Sequence, residues 1–134
     1  MRNLTFIILI TTFLYACTGQ DMETGKARKA AETAIALIGN KDFDKLAELY
    51  SNDFSTSEPK EVRLQKFKQI IDATGPVQNF ELTDSTSESE IGEESRITLT
   101  YKVKHSRLNT IETYKIGKEN GNYVIAGINI QMAE

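Results

Sequence analysis

Several absences narrow this chain before any of its motifs are considered. With one cysteine, Cys17, no intramolecular disulfide can form, and with one histidine, His105, there are too few ligands for a usual zinc site. No glycine-rich phosphate loop follows a strand, and no serine or cysteine pairs with a histidine base, which argues against phosphoryl transfer and triad hydrolysis. A basic excess is also missing. The formal net charge is -3, whereas nucleic acids select basic faces. The longest apolar stretch is shorter than the roughly 20 residues needed to span a bilayer as a helix. No metal, cofactor or nucleic acid is expected.

The amino terminus carries the most specific signal. Arg2 supplies a positive start, Phe6 to Leu14 an apolar core broken only by Thr11 and Thr12, and Leu14-Tyr15-Ala16 precedes Cys17. A secretory signal has this order of charge, apolar core and processing site. Leu14 suits an ordinary small-residue cleavage site poorly, and the segment resembles a bacterial lipoprotein signal ending in a lipobox. Tyr15 is larger than the usual occupant of its position. The resemblance implies that residues 1–16 are removed and that Cys17 becomes the acylated first residue. Lipidation would also resolve the unpaired thiol, and more than one acyl chain gives stable anchoring. Thr18 replaces the aspartate that marks inner-membrane retention. The implied location is therefore the bacterial cell envelope, with the outer membrane facing the periplasm as the default and surface exposure as a variant.

Residues 17–25 read as a polar, lipidated tether, and residues 26–134 as one domain. Ala27, Ala30, Ala31, Ala34, Ile35 and Ile38 fall on one helical face, with Gly39 expected as a left-handed cap. Asp42 caps a second helix bearing Phe43, Leu46, Leu49 and Tyr50. Ser57-Glu58-Pro59 opens a third, with Leu64, Phe67, Ile70, Ile71 and Thr74 as its apolar stripe and Gly75-Pro76 as its stop.

Beyond that point the apolar period changes to two. Ile97, Leu99, Tyr101, Val103 and His105 alternate with polar residues, the pattern of a half-buried strand. Further strands are expected at Val77–Thr83, Thr110–Lys118 and Tyr123–Gln131, with Thr83–Ser95 as a solvated loop. Asn120-Gly121 marks a hairpin, and a phase slip between Ile125 and Ile128 calls for a bulge at Ala126-Gly127. Three helices followed by a bent antiparallel sheet of about four strands make an α+β domain.

This order resembles the small bacterial lipoproteins of the NTF2-like, cystatin-like superfamily, many of them domains of unknown function. The matching segments are Asn40-Lys41-Asp42-Phe43-Asp44-Lys45-Leu46, Gly75, and Gly121-Asn122-Tyr123-Val124-Ile125-Ala126-Gly127. The resemblance implies a cone made by a sheet wrapped around helices. Enzymes of that superfamily, such as ketosteroid isomerase and scytalone dehydratase, work with a carboxylate or histidine and tyrosines inside the cone. Tyr101 and His105 share one strand face, and Glu112 and Tyr114 another, so these four are the candidate pocket residues. Each also has a plain reading. Glu112 fits an outward strand position, His105 a surface or hydrogen-bonded place near the sheet margin, and the tyrosines ordinary strand positions. Without a convincing catalytic set, the expected role is non-enzymatic binding of an envelope protein or a small apolar ligand. An isomerase or dehydratase using His105 or Glu112 with a tyrosine, and a purely structural envelope protein, are the alternatives.

Overall fold

The computed structural model describes residues 22–89, 91, 92 and 94–134. The expected signal segment, Cys17 and most of the tether lie outside them. Helix α1 (Thr24–Gly39) leads into α2 (Phe43–Ala47), α3 (Asn52–Thr56) and α4 (Lys60–Thr74). Four strands follow, β1 (Val77–Glu88), β2 (Arg96–His105), β3 (Thr110–Glu119) and β4 (Asn122–Met132). They form one antiparallel sheet in the order β1-β2-β3-β4.

The α+β architecture is thus as expected, with one helix more. Helix α3 is short and has no buried residue, so it leaves no amphipathic stripe to read. Its cap is clear locally, since Ser51 Oγ accepts from Phe54 N at 3.1 Å. Helix α1 begins at Thr24 rather than Lys26, and Met22 packs against the core just before it.

The core lies between the helices and the inner face of the sheet. Ala27, Ala31, Ala34, Ile35 and Ile38 of α1 face Ile97, Leu99, Tyr101 and Val103 of β2, Tyr114 and Ile116 of β3, and Ile125 of β4 within one cluster. The small alanine face lets α1 approach the sheet closely. Gly39 serves the same end and is not the left-handed cap expected of it. It stays helical, and a Cβ there would lie 2.8 Å from Val77 Cγ2. Lys41 takes the positive φ, at 58°.

Bulges bend the sheet. The register of β1 on β2 shifts at Gln78 and at Thr83, and Ala126 is the extra residue in β4, where Lys115 pairs with Gly127 but Ile116 with Ile125. That last bulge is the one required by the phase slip in the sequence. Strand β1 runs to Glu88 instead of ending at Thr83. Past its second bulge, Ser85 to Glu88 pair with Leu99 to Arg96 while staying exposed, so backbone pairing extends the strand where no apolar alternation announces it. The β3–β4 hairpin turns through Asn120 and Gly121, both at positive φ.

Candidate functional site

Inward positions on a strand recur every second residue, which carries His105 at the end of β2 and Thr110, Glu112 and Tyr114 on β3 into the same interior. Tyr101 joins them as the residue paired with Glu112 across the sheet. The outward reading of Glu112 does not hold, because only 1% of its surface is exposed. His105, at 3%, is hydrogen-bonded but far from solvent.

The bonds form a continuous chain. His105 Nδ1 lies 2.9 Å from the Gly75 carbonyl oxygen and Nε2 lies 3.0 Å from Thr110 Oγ1. Thr110 Oγ1 is 2.9 Å from Glu112 Oε1, and Tyr114 Oη donates to Glu112 Oε2. Glu112 Oε1 is also 3.5 Å from His105 Nε2, with the threonine hydroxyl bridging the pair. A carbonyl can only accept, so Nδ1 carries a proton. Two arrangements then satisfy every atom with the same number of protons. In one, an imidazolium donates to Thr110, which donates to a Glu112 carboxylate. In the other, Thr110 donates to a neutral imidazole and accepts from a protonated Glu112.

The surroundings bear on that balance. Burial disfavours the His105 cation, but the interaction with Glu112 and the hydrogen bond to Gly75 outweigh it, and its pKa is raised above the ordinary value. Burial and the adjacent Glu112 push the Tyr114 hydroxyl well above its usual range, which keeps it a donor. Tyr101 is separate in its hydrogen bonding. Its hydroxyl points to Glu32 Oε1 at 3.4 Å, and burial with the Glu32 charge, partly offset by Arg28, pushes it up to about 12. Its ring meets Tyr114 edge to face at 6.2 Å.

Of the four candidates, the structure therefore joins His105, Glu112 and Tyr114 by hydrogen bonds and adds Tyr101 by ring packing. Thr110, absent from the candidates, is the bridge. Its signal was present in the sequence, since it lies in phase with Glu112 and Tyr114. The set has the elements of an acid–base site, but none of its members lines the recess between α2 and α4 or the surface grooves along α1 and beside the β3–β4 hairpin. Gly75, at φ 84°, seals one end. A Cβ there would lie 2.0 Å from Ser106 Oγ.

A second site was not anticipated. Helices α2 and α4, with the Tyr50–Thr56 segment, enclose a largely apolar recess of about 420 Å³ including its open mouth. Phe43 and Phe67 stack at 6.0 Å and line it with Leu64, Tyr50 and Lys60. Arg63 also lines it, although only 5% exposed. Arg63 Nε donates to Glu58 Oε1 at 3.2 Å, and Nη2 donates to the Phe54 carbonyl at 2.6 Å and to Ser57 Oγ at 2.9 Å. The guanidinium carbon sits 4.1 Å from the centre of the Phe54 ring. Helical periodicity hides this residue. The inward stripe of α4 is Arg63, Phe67, Ile71 and Thr74, one step around from the stripe expected to start at Leu64, and a charged residue does not suggest itself as core.

Among the described residues, no group of three or more His, Cys, Asp or Glu could hold a metal ion, and no helix is long and apolar enough to cross a membrane. No family profile and no curated protein matches the chain. Solved structures do. A protein described as a dehydratase of the NTF2-like family from Streptomyces avermitilis superposes with a TM-score of 0.55 at 13% identity, over 84% of this chain and 97% of that one. One described as a scytalone dehydratase from Novosphingobium aromaticivorans gives 0.53 at 8% identity, over 83% and 84%. The beta subunit of a benzoate 1,2-dioxygenase from Burkholderia mallei gives 0.50 at 12%, over 84% and 91%. At such identities the likeness is one of fold, and fold does not carry chemistry with it. These superpositions extend over most of the described chain, and the chain has the NTF2-like fold.

Proposed function

We propose that the protein is a lipid-anchored envelope protein whose cone is a binding body, taking a small apolar ligand in the recess between α2 and α4. The observation that supports this reading is the recess itself, a preformed hollow faced by two stacked phenylalanines and a leucine beside a few polar groups. Small-molecule sites are commonly of this kind. A protein partner would need a contiguous apolar surface, and of the large exposed apolar side chains among the described residues, Val62, Ile91, Leu108 and Met132, two, Leu108 and Met132, lie at the same end of the sheet. Displacement of Nile red by 1-octanol tests the reading. One saturable site is expected, lost in Leu64→Trp, which fills the recess, and absence of saturable binding overturns it.

Anchoring rests on the amino-terminal sequence. Incorporation of a palmitate analogue in cells, abolished by Cys17→Ala, is the expected result.

An isomerase or dehydratase is the second reading, favoured by the meeting of His105, Glu112 and Tyr114 inside the cone. Catalysis there requires access to the histidine. Because His105 is the only histidine, modification by diethyl pyrocarbonate reports on it alone. Labelling of the native protein would support a cone that opens, and resistance would leave the cluster a structural role.

A further inference from the structure

We infer that the recess between α2 and α4 selects small monocarboxylic acids, holding the carboxylate against Arg63 and the hydrocarbon against Phe43, Leu64 and Phe67. This rests on the ligand-binding reading above and adds the chemistry of the ligand's polar end.

Arg63 leaves part of its guanidinium unused. Its Nε and Nη2 are committed to Glu58, Phe54 and Ser57, but Nη1 makes no hydrogen bond to the described residues. No buried side-chain nitrogen or oxygen among those residues lacks a partner, so Nη1 keeps some contact with solvent, and Arg63 is one of the residues lining the recess. A guanidinium held this rigidly, with one N–H edge left free in an apolar hollow, is a preorganised donor for an anion. Tyr50 lines the same recess, and its hydroxyl also has no partner among the described residues. Burial pushes that hydroxyl up to about 12, with the Arg63 charge opposing and Glu58 assisting, so it too is a donor. Both unspent groups can donate, and one is cationic.

The nearby carboxylates do not compete for the ligand's place. Glu58 is held by Arg63 and Lys66, and Asp44 by Lys60. Counting Arg63, Lys60 and Lys66 against Glu58 and Asp44, the rim retains one positive charge. A primary alcohol would satisfy the apolar wall but gain only a neutral bond, and an ammonium would be repelled by the Arg63 cation. The enclosed space behind the mouth is about 70 Å³, small beside the roughly 300–1,000 Å³ of ordinary small-molecule sites, and it admits only a short, slender chain.

The test compares octanoate, 1-octanol and octylammonium by calorimetric titration of the isotopically labelled mature domain, alongside the Arg63 side-chain N–H signals in NMR. Octanoate is expected to bind about five- to tenfold more tightly than octanol, the usual gain of a charge-assisted over a neutral hydrogen bond, and to shift the Arg63 signals. Tyr50→Phe should weaken octanoate more than octanol, and Leu64→Trp should abolish both. Should Leu64→Trp not fold, Ala47→Leu obstructs the same recess. Equal affinity for octanoate and octanol, or preference for octylammonium, overturns the inference while leaving the apolar site standing. If none of the three binds, both the inference and the ligand-binding reading fail.

Discussion

His105 and Arg63 are both basic side chains withdrawn from water, yet their surroundings differ in kind. Around His105 every polar atom meets another polar atom of the protein, and the bonds close through Gly75, Thr110, Glu112 and Tyr114. Around Arg63 the described residues supply acceptors for part of the guanidinium and none for the rest. A satisfied buried network holds the fold in one arrangement. An incompletely satisfied one beside a hollow leaves binding energy for something else. The cluster resembling a catalytic site is therefore the better candidate for structure, and the helical recess the better candidate for function.

The sharpest way to break this contrast is to remove the centre of the satisfied cluster. Glu112→Ala takes the acceptor from Thr110 and Tyr114 and the counter-charge from His105, and should cost about 3–5 kcal/mol, the range for one partner removed from a buried pair, measured by urea unfolding. A loss below about 1 kcal/mol would mean that the interior is not held by this chain of bonds. Next comes Tyr114→Phe, which leaves Glu112 Oε2 without its donor and should cost about 1–3 kcal/mol. Gly75→Ala, forced to a positive φ against Ser106, belongs to the same range, about 1–3 kcal/mol.

Titration sharpens the comparison further. Because the folded-state pKa of His105 is raised, its protonation adds stability that is fully present below the unfolded value near 6.5 and is lost as pH rises through the folded value. The difference in unfolding free energy between the wild type and His105→Gln should therefore shrink from pH 6 toward pH 9. A constant difference would show that His105 does not gain a proton preferentially on folding. The smallest effect is expected at Tyr50→Phe. Its hydroxyl has no partner among the described residues, so the change should stay within about 0.5 kcal/mol, in contrast to the same substitution at Tyr114.

The sequence made the inner face of the sheet readable because a strand's period of two is simple. Ile97 through His105 and Thr110 through Ile116 declare their faces, and the slip at Ile125–Ile128 declares its bulge. Choosing between a polar residue turned inward and one turned outward was harder. Glu112 lies between Ile111 and Thr113, and only the cross-strand pairing with Tyr101 decides which side is core. Thr110 lies in phase but carries no charge to draw notice, although it is the link on which the cluster depends. The recess was illegible for a different reason. It is assembled from α2, α4 and the short α3 segment, whose contacts are set by tertiary packing, and its key residue is an arginine on what appeared to be an apolar helix. Single-residue chemistry such as that expected at Cys17 can be read from local order, whereas a hollow cannot.

The junction after α4 has a consequence for how this domain comes apart. Thr74 O accepts from the backbone of Arg107 and Leu108, the Arg107 guanidinium donates to the carbonyls of Asp72 and Ala73, and His105 holds Gly75. The last turn of the helix is thereby tied to the β2–β3 connection, far away in sequence. Fraying of that turn would require the connection to open with it, so their amide hydrogens should exchange with solvent together and slowly, as parts of one cooperative unit rather than as a helix end and a loop.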